Sequence, residues 1–186
     1  MVGTIIGCFS FGAMLLFDIS ALLNKKILQY IMLVFALGTL GYGLYDLMRY
    51  NHQFEISFGF FPVLIVLDVV FFILLIYSIV IEVRINQTLK GQKTELVTNG
   101  TYSISRHPGV IWLFFVFIIS AIILENYLFL IAGGVWTLAN SVYVYYQERF
   151  VLTKLFKSYS MYQQTTPMLI PTINSIKKIT KRTLEE

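Results

Sequence analysis

Residues 110–146 read VIWLFFVFIISAIILENYLFLIAGGVWTLANSVYVYY, two apolar runs, Val110 to Leu124 and Tyr127 to Tyr146, interrupted only by Glu125 and Asn126. At 1.5 Å of helical rise per residue the first run climbs roughly 22 Å and the second returns roughly 30 Å. The stretch therefore predicts a helical hairpin whose open ends bring His107 and Glu148 together near one membrane face. The first arm is short for a hydrocarbon core of about 30 Å, which predicts a tilted or deeply seated helix and a recess at that end. The second arm carries Thr137, Asn140, Ser141, Tyr145, Gln147 and Glu148. Lipid offers these groups no hydrogen-bond partners, so they are expected to face protein or a cavity, with Thr137 and Ser141 also suited to bonding between helices.

Three further apolar runs precede the hairpin: Val2 to Leu23, Ile27 to Met48 and Phe58 to Val83. Each has about the 20 residues that a membrane-spanning helix needs. With 57% hydrophobic and 13% charged residues the composition excludes an ordinary soluble domain. The predicted fold is all-α: a polytopic membrane protein of about five transmembrane helices. Residues 1–83 form three N-terminal spans, and residues 84–186 form a loop, the hairpin and a tail. The first run is too long, and lacks the basic start, for a cleaved secretory signal, so it is expected to be a retained span. A single cysteine, Cys8, excludes an internal disulfide; together with only two histidines, His52 and His107, it argues against a dedicated metal site. Any cofactor is expected to be organic.

Five spans place the connections alternately on two sides, and of the 14 basic residues all but Arg49 fall on the same side. The excess of Lys and Arg on cytoplasmic loops then predicts an outside N-terminus and a cytosolic tail. The net charge of +4 flanks apolar runs, where it suits membrane lipids rather than nucleic acid. The sequons at Asn86 and Asn99 would lie in the cytosolic loop as chance matches. Abundant Ile, Lys and Asn point to a microbial source and favour a bacterial plasma membrane over an internal one. Residues 149–162, RFVLTKLFKSYSMY, alternate apolar and basic groups as an interfacial helix does. Pro167 and Pro171 then turn the chain back over the bundle, before a basic tail from Lys177 to Glu186. Asp46 is expected to be solvated near an interface, and Asp18 and Asp68 to bind a cation or line a path within the spans. Gly38, Gly41 and Gly43 suit close helix packing.

One set of residues carries a resemblance: Leu96-Val97-Thr98-Asn99-Gly100-Thr101-Tyr102, Arg106-His107-Pro108, Gln147-Glu148-Arg149-Phe150, Phe156, Tyr159, Tyr162 and Pro167-Met168-Leu169-Ile170-Pro171. In order and spacing it resembles the isoprenylcysteine carboxyl methyltransferase family, a branch of the membrane methyltransferases that also includes phospholipid N-methyltransferases. The resemblance covers about residues 94–171. It implies an S-adenosylmethionine pocket built from the loop and both ends of the hairpin, with the tail closing over it. Carried over position by position, that pocket includes Gly100, Tyr102, Arg106, His107, Gln147 and Glu148. The family's tyrosine and glycine after Arg-His-Pro are Val110 and Trp112 here, and its paired glutamates are Gln147-Glu148.

The chemistry suits those residue types. S-adenosylmethionine presents a carboxylate, an ammonium and a ribose diol, for which Arg106 and His107 supply donors and Glu148 an acceptor. Gly100 permits a positive φ or close backbone approach, and Pro108 presets a first helical turn. Methyl transfer needs alignment and exclusion of water rather than a covalent protein nucleophile. Glu148 is the candidate acid or base, and Arg149 either positions a carboxylate acceptor or snorkels at the span end. The resulting expectation is methyl transfer to a lipophilic acceptor arriving from the bilayer, such as a prenylcysteine carboxylate. The alternatives are an NADPH-dependent reductase of the sterol type and a non-catalytic protein retaining the fold.

Overall fold

The computed structural model describes residues 2–49, 60–82, 96–173 and 175, and these are predominantly helical, with no β-strand among them. Helix α1 covers Val2–Leu22, α2 Lys26–Arg49, α3 Phe61–Ile76, α4 Pro108–Ile123 and α5 Tyr127–Gln147. Four stretches, Val2–Leu22, Lys26–Arg49, Phe61–Val80 and Tyr127–Leu155, are long and apolar enough to cross a membrane. The fifth, α4, is apolar but 16 residues long, the short first arm that the sequence predicts. His52, Asn86 and residues 176–186 lie outside the described residues.

The helices pack as a row in the order α2, α1, α5, α4, α3. Helices α1 and α5 run parallel, since Thr4 early in α1 meets Trp136 midway along α5, and Asp18 late in α1 meets Tyr143 and Gln147 toward the end of α5. Large side chains on α2 and α3 remain exposed, Ile27 at 79% and Val66 at 61%, as lipid-facing surfaces would be. Lipid tails are as apolar as leucine, so the helices must associate through close packing and internal hydrogen bonds rather than hydrophobic burial. Trp136 provides both. It is fully buried, its indole N–H donates to the Thr4 carbonyl at 2.8 Å, and its ring fills notches over Gly7 and Gly43. Of the three α2 glycines expected to pack closely, only Gly43 does so; a methyl group at Gly38 or Gly41 would meet open space.

The turns follow local chemistry. Asn24, at φ 55°, ends α1 in the left-handed region that Asn tolerates. Pro62 and Pro108 open α3 and α4, where no amide hydrogen is missed. Between α4 and α5, Glu125 adopts φ 49° and Asn126 caps α5, accepting from the Leu128 N–H at 2.9 Å. The predicted hairpin is present.

Three expectations are corrected. Asp46 is buried rather than solvated, because its carboxylate accepts the Gly3 N–H at 2.8 Å and answers the unpaired amides and positive end of α1. Tyr145 is exposed, its ring edge against Tyr146 instead of facing the interior. The single interfacial helix expected over 149–162 is broken. α5 continues through a π-helical segment, Glu148–Leu152, and a last turn, Thr153–Leu155, then stops at an extended Phe156. A short helix, α6, resumes over Tyr159–Thr165.

Candidate functional site

Arg106 and His107 come from the loop before α4 and Glu148 from the end of α5, so the hairpin delivers them to one place. Arg106 grips Glu148 with two parallel bonds, Nε to Oε1 at 2.8 Å and Nη2 to Oε2 at 3.0 Å. This is the fork geometry that makes an arginine–carboxylate pair specific. His107 Nε2 lies 2.9 Å from Oε1, and Gln163 Nε2 on α6 donates to Oε2 at 3.0 Å. The side chains of Arg106, His107 and Glu148 are 10%, 10% and 7% exposed. A carboxylate accepts about four hydrogen bonds, and Glu148 has four donors.

The tail roofs this cluster. Arg106 Nη1 donates to the carbonyls of Gln163 and Thr166, while the amides of Arg106 and His107 donate to the carbonyls of Pro167 and Met168. Ser105 Oγ adds a bond to the Met168 carbonyl, and Tyr162 Oη donates to the Tyr102 carbonyl at 2.5 Å. The chain thus does fold back at Pro167. Tyr159 is buried against the same cluster, with its hydroxyl near Glu148 but outside hydrogen-bond geometry. Burial first, and then the Glu148 charge, push that hydroxyl far above its ordinary range, so it stays protonated.

Two π-helical segments flank the site, a feature the sequence reading missed. One holds Glu148 itself. The other, Tyr77–Glu82, extends α3, and there the Ser78 carbonyl accepts the Tyr102 hydroxyl at 3.2 Å. Such segments shift the register of backbone bonds and occur often at functional sites. Gly100 takes φ 55°, the positive value its residue type permits.

Of the sequence-derived residues, Arg106, His107 and Glu148 meet directly, and Tyr102 joins them through Tyr162 and the tail. Gln147 points elsewhere, to Asp18 and Tyr143 on the α1 side of α5. Arg149 is exposed and holds no partner through its side chain among the described residues. Trp112 lies beside Phe71 with ring centroids 6.0 Å apart, its indole nitrogen buried and unpartnered. Gln163 was not singled out by sequence; its spacing of four from Tyr159 on one helix face is the only signal it gives. Among the described residues no group of acidic, histidine or cysteine side chains is arranged to hold a metal ion.

The donor set suits the zwitterionic end of S-adenosylmethionine in kind. One Arg106 Nη2 proton has no partner here and can meet a carboxylate; His107 Nδ1 has none either, and with Nε2 already donating to Glu148 it can do the same only when the ring carries both protons. Glu148 has no such spare capacity, so a ligand donor must take the place of one it holds now. Comparison with known proteins adds no family: no protein-family model, curated protein or solved structure matches this chain.

Proposed function

We propose that this chain is an S-adenosylmethionine-dependent membrane methyltransferase acting on a lipophilic acceptor, with its site on the cytosolic side of a bacterial plasma membrane. The observation that carries the reading is the union of Arg106, His107 and Glu148, from both open ends of a membrane hairpin, beneath a tail that closes over them. Charged groups are costly in an apolar bundle and are kept where they serve a site. Arg106 and His107 would hold the cofactor carboxylate, and Glu148 a hydroxyl or ammonium group, with Gln163 released to make room. Gly100 and Tyr102 lie on the loop beside them. Bound there, the cofactor supplies an electrophilic methyl group, which an acceptor heteroatom takes with its lone pair while the sulfonium sulfur keeps the bonding pair and becomes a thioether.

The test is transfer of labelled methyl from S-adenosylmethionine into the organic phase, with protein in nanodiscs made from a bacterial lipid extract. The parent should label a lipophilic product and Glu148→Gln should not. Absence of label together with absence of S-adenosylhomocysteine binding would overturn the reading. A non-catalytic protein retaining the fold is the second reading, favoured by one observation: all four acceptor positions of Glu148 are filled from within the chain.

A further inference from the structure

Asp18 lies on α1 near the end that faces Glu148, outside the cluster described above. Its Oδ2 accepts the Tyr143 hydroxyl at 2.8 Å and Gln147 Nε2 at 2.9 Å, and the same Nε2 donates to Tyr143 Oη at 2.9 Å. A carboxylate only accepts, so the Gln147 amide must present its NH2 to Asp18 and turn its oxygen away. Every donor in the triad is then spent inside it: the Tyr143 proton on Asp18, and the two Gln147 protons on Asp18 and Tyr143. What remains is acceptor capacity, at Asp18 Oδ1 and Gln147 Oε1, neither of which accepts a hydrogen bond among the described residues. No cation pairs with Asp18 there either, whereas Glu148 one residue beyond Gln147 is fully countered.

The three side chains are only partly buried, so the unfilled acceptors are reachable. Val142 and Tyr146, stacked one turn apart on the face of α5 that neighbours Tyr143 and Gln147, are exposed apolar groups. A ligand that completes this site must bring donors and positive charge on an apolar body. An anion would meet no free donor, and a neutral alcohol would leave the carboxylate uncompensated. We propose that Asp18, Tyr143 and Gln147 bind the protonated amine head of an amphiphile that enters from the bilayer. Binding here does not depend on methyl transfer.

The test uses the full chain in phosphatidylcholine nanodiscs without cofactor, titrated with dodecylamine, dodecanol and dodecanoate, each corrected for partition into empty discs. Dodecylamine should bind about tenfold tighter than dodecanol. The preference should vanish in Asp18→Asn and persist in Asp68→Asn. Repeating the titration in discs containing an amine-headed phospholipid identifies the source: weakened binding points to the lipid headgroup, unchanged binding to a free amine. If Asp18→Asn does not fold, the parent still decides. Dicyclohexylcarbodiimide modifies carboxyl groups in apolar surroundings, and N,N-dimethyldodecylamine, whose protonated head still donates but which cannot form an amide with an activated carboxyl, should protect Asp18 but not Asp68 from it. Equal binding of amine and alcohol by the parent, or an unprotected Asp18, would overturn the proposal. Neither result would bear on S-adenosylhomocysteine binding.

Discussion

The middle of α5 and its C-terminal end solve opposite problems. Around Trp136 the helix is dry, and specificity comes from shape: one large ring, glycines that admit it, and a single indole bond to Thr4. Around Glu148 the end is polar, and specificity comes from bonding capacity, four donors on one carboxylate beneath a short tail. The first region has no spare room, and in the second the Glu148 carboxylate has no spare acceptor position. A substitution should therefore damage the first by adding atoms and the second by removing them.

The largest effect is expected from Glu148→Ala. It leaves Arg106 and His107 buried without a counter-charge, a loss of about 3–5 kcal/mol. It also removes the bond that ties Gln163 down, so hydrogen exchange across residues 159–168 should rise sharply in the variant. Unchanged exchange there would mean that the tail is held by Tyr162 and the backbone bonds alone. Next, Gly7→Ala and Gly43→Ala drive a methyl group into Trp136. Thermal unfolding in detergent should register about 1–3 kcal/mol of destabilisation for each. Gly38→Ala and Gly41→Ala face open space, and should be neutral or stabilising by up to about 1 kcal/mol through helix propensity. A smaller loss, about 1 kcal/mol, is expected when Asp46→Ala removes the acceptor at the α1 N-terminus. Smallest of all, Glu125→Gly relieves a left-handed residue at the hairpin turn. It should raise the unfolding midpoint slightly, by about 0.5 kcal/mol.

The polar end was the more legible of the two in sequence. Apolar runs broken by Glu125 and Asn126 gave the hairpin, and hairpin geometry alone required His107 and Glu148 to converge. What sequence left open was how they converge. In sequence Arg106, His107 and Glu148 stand as separate hands for a ligand, and in the fold they hold one another instead. Composition cannot distinguish those states, because the same charges serve either. Gln147 illustrates a second limit: beside Glu148 in sequence, it stands about 100° around the helix and reaches α1. The dry middle was legible only as apolar. Nothing in a glycine's identity says whether a ring will lie over it, which is why Gly43 and Gly38 looked alike. Asp46 looked solvated because it sits near a helix end, and its partner is a backbone amide more than forty residues away. The tail broke as one helix at Phe156, where the chain must turn to lay Gln163 over the site.

The most direct measurement is calorimetric titration of the purified protein with S-adenosylhomocysteine and, separately, with NADPH, beside His107→Ala and Glu148→Ala variants shown to be folded. Saturable binding of S-adenosylhomocysteine to the parent, lost in both variants and absent for NADPH, is the predicted result. A folded parent that binds no S-adenosylhomocysteine would contradict the account and leave the Arg106–His107–Glu148 cluster as a clasp that fastens the tail to the bundle.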